Sequence, residues 1–272
     1  MIKMIYLGPA GIPTITRGDT LQGIKDVKKL GLSAMELEFV RGIYLKKEEA
    51  VEIGRVAKDL GVKLSIHASY FINLCNPEKV RASEKRILDS CEIGHYLGAK
   101  YIVFHPGFYG KLSVEQDYEL VKKSCIELRK EIDKNRFDVV LGLETTGKKS
   151  QFGTLDEILK ICREVKGCAP IIDFAHIFAR QGGKIDYSEI LDKVRKFKEL
   201  HTHFSGIEFT EKGEKKHIPI SFNQPDFKEL AKELVNRGFG TKKRDIRIIC
   251  ESPILEQDSL EMKKILNKLT KS

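Results

Sequence analysis

No stretch of this chain stays apolar for the roughly 20 residues that a bilayer crossing needs. The opening Met1-Ile2-Lys3-Met4 runs straight into a strand-like segment without a signal-peptide pattern. Together these absences argue against a membrane protein and lead to the expectation of a soluble, cytoplasmic one. The six cysteines, Cys75, Cys91, Cys125, Cys162, Cys168 and Cys250, form no Cys-x-x-Cys pair, so they read as reduced core fillers rather than as a disulfide frame. The chain has no low-complexity segment and no linker. It also lacks the Gly-rich turn of a dinucleotide-binding sheet, which weakens the case for a doubly wound fold.

What remains is a chain of 272 residues, 41% hydrophobic and 32% charged, with a formal net charge of +9. That length suits one α/β barrel of roughly 250 residues better than two small domains, and residues 1–272 are read as a single domain. Its positive balance fits a polyanionic partner, although Lys- and Glu-rich chains also arise for thermal stability.

Strand-like and helix-like segments alternate throughout. Strands are expected over Ile2–Leu7, Ala34–Val40, Val62–His67, Tyr101–His105, Val139–Glu144, Ala169–Asp173, Leu200–Phe204 and Asp245–Glu251. Between and after them lie eight amphipathic stretches, several closed by glycine, as at Gly31, Gly61 and Gly98. Eight such units predict a (β/α)8 TIM barrel, in which the functional side chains gather at the C-terminal ends of the strands. Ser205–Gln224, rich in Lys, Glu and Gly, reads as a long functional loop.

Six strand ends carry potential ligands: His67, His105, Glu144, Asp173, His203 and Glu251. A mixed set of carboxylates and imidazoles suits Zn2+, with Mn2+ as the alternative. Glu144, Asp173, His203 and Glu251 fall on consecutive strands, and His67 and His105 can complete a neighbouring site with Glu144 as the bridge. Two ions roughly 3.5 to 4 Å apart would clamp a phosphoryl group. His176, three residues past Asp173, and His217, in the long loop, could hold a third ion. His201 points to the same face as His203, one layer deeper, as a core or supporting residue, and His95 reads as a surface or packing residue.

Four motifs carry a resemblance. His67-Ala68-Ser69-Tyr70-Phe71-Ile72-Asn73-Leu74, His105-Pro106-Gly107, Glu144-Thr145-Thr146 with Phe152-Gly153-Thr154, and Asp173-Phe174-Ala175-His176-Ile177-Phe178-Ala179 occur in that order. They are similar to segments of the endonuclease IV family of apurinic/apyrimidinic endonucleases, (β/α)8 barrels with a trinuclear zinc centre. The resemblance implies two to three zinc ions, a duplex DNA substrate with an abasic site and hydrolysis on its 5′ side. One ion would lie at His67, His105 and Glu144, and a second at Glu144, Asp173, His203 and Glu251. A third would use His176, His217 and an aspartate two residues before His217.

At that last position stands Lys215, whose ammonium offers no lone pair to a metal. Ser205 and Gly206 likewise replace the family's Asn and Asp. Either Lys215 supplies the catalytic positive charge, or Glu208, Glu211 or Glu214 substitutes as the ligand. Tyr70 and Phe71 match family residues that wedge into damaged DNA, with a core role as the alternative for Phe71, and Arg41 corresponds to a DNA-entering arginine. Glu144 is expected to accept a proton during catalysis. A monomer with no membrane association is expected. The rival readings are a single-metal sugar isomerase or epimerase using Glu144, Asp173, His203 and Glu251, and a non-cleaving protein that binds abasic DNA.

Overall fold

The structure, a computed structural model, describes residues 5–240 and 244–270. Twelve strands are assigned among them: β1 (Ile5–Pro9), β2 (Ala34–Glu38), β3 (Lys63–His67), β4 (Tyr101–Phe104), β5 (Gly107–Phe108), β6 (Val140–Glu144), β7 (Gln151–Phe152), β8 (Cys168–Asp173), β9 (Glu199–Phe204), β10 (Gly206–Thr210), β11 (Gly213–Ile218) and β12 (Asp245–Cys250). The α-helices are α1 (Thr20–Lys29), α2 (Lys47–Leu60), α3 (Val80–Leu97), α4 (Val114–Lys134), α5 (Leu155–Glu164), α6 (Phe174–Arg180), α7 (Tyr187–Lys193), α8 (Phe227–Asn236) and α9 (Glu256–Leu269). Among the described residues no helix is long and apolar enough to cross a membrane.

The chain divides into two compact units, one of Glu36–Ile171 and one of Met1–Met35 with Ile172–Ser272. In the first, β3, β4, β6 and β8 pair in that order, all parallel, with His67 beside Val103 and Glu144 beside Ile171. In the second, β1, β12 and β9 pair in parallel, with Ile249 beside both Gly8 and His203. Parallel strands covered on both faces are predominantly apolar, with buried polar side chains kept for special positions. Accordingly the side chains of Ile66, Val103, Leu141, Leu143 and Ile171 in one unit, and of Ile246, Ile248 and Ile249 in the other, are buried.

Helix boundaries follow local chemistry. Thr154 and Glu157 form a reciprocal capping box at the start of α5, each side chain accepting from the other's backbone N–H. The helix then buries Ile158, Leu159 and Ile161 on one stripe. Gly61 and Gly98 end α2 and α3 in the left-handed conformation, as expected from their positions.

Three features depart from the sequence reading. Ser205–Gln224 is not an irregular loop: most of it is an antiparallel hairpin, β10–β11. The segment after β8 is likewise helical, so His176 sits on α6 rather than in a loop, and His217 sits on β11. Finally, β5 and β7 pair as a short antiparallel bridge between segments read as loops.

In β1 the backbone passes so close to β2 that a Cβ on Gly8 would lie 1.6 Å from the Ala34 carbonyl oxygen. A backbone atom cannot rotate away as a side chain can, so the two strands would have to separate. Gly8→Ala is therefore expected to cost about 3 kcal/mol, the upper end for overpacking. In urea denaturation the midpoint should fall while the slope stays unchanged.

Candidate metal centre

The first cluster lies in Glu36–Ile171. His67 is the last residue of β3, Glu144 the last of β6, and His105 follows β4 directly. Both imidazole Nε2 atoms come to 3.2 Å from the same atom, Oε2 of Glu144, and the Glu144 side chain is fully buried. On its other side, the His67 ring has Nδ1 2.8 Å from the Ala68 carbonyl oxygen. A carbonyl only accepts, so Nδ1 carries the proton, and in neutral His67 the Nε2 lone pair faces a carboxylate.

Only positive charge between or on these groups makes that contact attractive. Protonation is one source: burial opposes the charged ring, but the hydrogen bond and charge of Glu144 outweigh it and lift the His67 pKa to about 10. A metal ion is the other. In tetrahedral coordination with arms of about 2.0 to 2.1 Å, neighbouring ligand atoms lie about 3.3 Å apart, close to both measured separations. The donor set therefore fits zinc.

Residues outside the ligand set hold this geometry. Leu74 N–H donates to the Pro106 carbonyl at 2.7 Å, and the Asn73 side-chain oxygen accepts from Phe108 N–H at 3.2 Å and from Cys75 N–H at 3.1 Å. A Cβ on Gly107 would lie 2.4 Å from that same oxygen. Asn73 and Gly107 thereby clamp the loop after His67 to the loop after His105.

A second group lies in the other unit. Nδ1 of His203 at the end of β9 is 3.3 Å from Oε1 of Glu251, which follows β12. Asp173 ends β8 and caps α6, its Oδ1 accepting from His176 N–H at 2.6 Å. One carboxylate oxygen thus orients the helix while Oδ2 can serve as a ligand atom. The His176 and His217 rings lie 5.4 Å apart between centroids, and His217 Nε2 is 3.9 Å from Glu251 Oε2. Ser205 Oγ sits 2.6 Å from His217 Nδ1, which fixes the ring and turns Nε2 inward. His201 packs edge-on against His203 with centroids 5.5 Å apart and is buried, as expected of a supporting residue. His95 packs on Tyr96 and Phe137, with Nδ1 accepting from Asp138 N–H.

Lys215 is not gathered into these groups. Its side chain is 62% exposed and pairs with Glu208 at 3.2 Å, as does Lys216. Tyr70 and Phe71 are 61% and 64% exposed, which removes the core alternative for Phe71. Tyr70 N–H donates to the Val40 carbonyl at 3.0 Å, tying this loop to the one carrying the exposed Arg41. Sequence reasoning missed Phe108, Lys79 and Arg86, which share a surface groove with Tyr70 and Phe71. Neither spacing nor motif links those positions.

The profile of the family described as xylose isomerase-like TIM barrel matches residues 24–269. An uncharacterized protein of Methanocaldococcus jannaschii is 38% identical over 98% of each chain. A probable endonuclease 4 of Mycoplasma mobile is 28% identical over 74% of this chain and 72% of its own. Among solved structures, endonuclease IV from Thermus thermophilus superposes with a TM-score of 0.73 at 18% identity, covering 98% of this chain and 99% of its own. A 3-keto-D-glucoside 4-epimerase from E. coli reaches 0.70 at 16% identity over 97% and 99%. At such identities the structural likenesses speak to fold alone. With the family profile spanning nearly the whole sequence and the β/α alternation seen in the structure, this chain belongs to the xylose isomerase-like TIM barrel family and has its (β/α)8 fold.

Proposed function

We propose that this protein is a metal-dependent endonuclease that hydrolyses the phosphodiester on the 5′ side of abasic sites in duplex DNA, with zinc as the expected metal. The observation that carries this reading is the convergence of His67 and His105 on one oxygen of Glu144. A sugar isomerase with one metal has no use for that three-donor site. The names of the Mycoplasma mobile and Thermus thermophilus proteins support the same reading.

His67, His105 and Glu144 would hold one ion, and Asp173, His203 and Glu251 would contribute to another. When bound, such ions supply Lewis acidity and make water ionisable near neutral pH. Glu144, buried and acceptor-only, is placed to take the proton that the attacking water gives up. Ser205 holds His217, and Ala68 holds His67, each in one orientation before substrate arrives.

Tyr70 and Phe71 provide two rigid, exposed aromatic faces beside this cluster, the Tyr70 ring lying 5.6 Å edge-on from His67. Inserted at a gap in the base stack, they would hold the duplex open where a base is missing. Arg41, Lys79 and Arg86 would then neutralise neighbouring phosphates. Lys215 and Lys216, on the outward side of their strand, fit the same electrostatic role, two positive charges against the one of Glu208.

The rival with a specific observation behind it is a sugar epimerase, because Asp173, His203 and Glu251 suit such chemistry and an epimerase shares the fold. The discriminating substrate is a duplex with a single tetrahydrofuran abasic analogue, offered to zinc-loaded protein. Nicking 5′ to the analogue with a 3′-hydroxyl end is expected. A retarded but intact duplex would identify a non-cleaving binder, and neither outcome would return the assignment to the sugar enzymes.

Two variants divide the machinery. Glu144→Gln should lower the cleavage rate by at least about 100-fold, beyond what loss of a supporting residue around a metal costs, and should reduce zinc content. Phe71→Ala should weaken binding of the abasic duplex about tenfold, in line with the loss of one aromatic stacking platform. Fluorescence anisotropy reads that change, and zinc content measured on the same sample should not move.

A further inference from the structure

We infer that Glu214 completes a metal site with His176 and His217, the lysine two positions before His217 being an insertion that a β-bulge removes from the ligand face. The pairing of the hairpin shows how. His217 stands opposite Ile207 and Lys216 opposite Glu208, but the next pair is Glu214 opposite Phe209. Lys215 has no counterpart and is the extra residue of the bulge.

In a regular strand, residues two apart share a face. Here the bulge adds one to that count, so Glu214 and His217, three apart, point the same way. The partner strand confirms which way that is. Ile207 is fully buried and Phe209 packs edge-on against Phe178 of α6, with Ala175 and Ala179 in the same apolar cluster. The other face carries Glu208 between Lys215 and Lys216. The hairpin therefore lies with its apolar side on α6, and that docking brings His176 against Glu214 and His217.

The resulting donors are two imidazoles and one carboxylate, with ligand atoms within 4.8 Å of one another. His176 Nε2 lies 3.6 Å from Glu214 Oε2. That separation is too long for a hydrogen bond and close to the roughly 3.4 Å edge of a tetrahedral site with arms near 2.1 Å. Of the three acids on the hairpin, Glu208 is occupied by the lysines, and Glu211 lies exposed at the turn. Only Glu214 faces the histidines. Two histidines and one glutamate leave a fourth position of a zinc ion open, as in catalytic rather than structural sites.

Metal binding here stands whatever the substrate is. That the open position receives a phosphate oxygen rests on the nuclease reading. The two are separated by measuring metal without DNA. Chelator-stripped full-length protein is reloaded with zinc, passed through a desalting column and analysed by mass spectrometry, with circular dichroism checking that each variant is folded.

Wild type should hold one more zinc per chain than Glu214→Gln. Lys215→Asp and deletion of Lys215 should both hold as many as wild type. In the deletion the strand becomes regular, and Glu214, now two residues from the histidine, keeps its face. Equal zinc in wild type and Glu214→Gln overturns the inference. So does an ion gained by Lys215→Asp, which would show that position 215 is the ligand position after all. Three ions without cleavage would sink the nuclease reading and leave this site standing.

Discussion

A carboxylate taken out of water sets the terms for the unit Glu36–Ile171. Glu144 is fully buried at the end of β6, and an ionised group in that position costs several kcal/mol unless opposite charge is brought to it. Two imidazoles supply the directional partners, and neighbouring loops exist in their observed form to aim them. Asn73, Pro106 and Gly107 touch no candidate ligand atom in the hydrogen bonds described above, yet they lock the chain after β3 to the chain after β4. The motif is thus wider than its chemistry because positioning needs backbone as well as side chains.

The same economy appears around Asp173. One oxygen caps a helix of seven residues, and the cap orients the histidine three residues on. A short helix of this kind gains little from propensity. Its stability comes from the cap and from Ala175, Ala179 and Phe178 packing on the hairpin. Secondary structure, hydrophobic contact and ligand placement are here one arrangement, and the charged lysines of the hairpin are left on its other face.

Much of this was legible in the sequence because parallel strands deliver their last residues to one end. A run of β-formers closed by Glu144, or by Asp173, needs only that rule to be read as a rim position. The hairpin was not legible. Its outer face and turn are so rich in Lys and Glu that Ser205–Gln224 resembles solvated loop, and only Ile207 and Phe209 mark the side that packs on α6. Helix α6 was missed because it begins on the residue after the strand, with no turn residue between to announce it. Lys79, Arg86 and Phe108 were missed because they meet Tyr70 and Phe71 only in three dimensions.

The cysteines carry a consequence of their own. Cys75, Cys91, Cys125, Cys168 and Cys250 are buried, burial raises the Cys91 thiol well above its ordinary range, and no candidate ligand is sulfur. Such thiols are poor nucleophiles and poor targets for oxidants. A metal centre built on these nitrogen and oxygen donors alone would therefore not depend on the oxidation state of any thiol. Imidazole and carboxylate donors, harder than thiolate, suit manganese as well as zinc, so metal availability bears on which ion such a site would take.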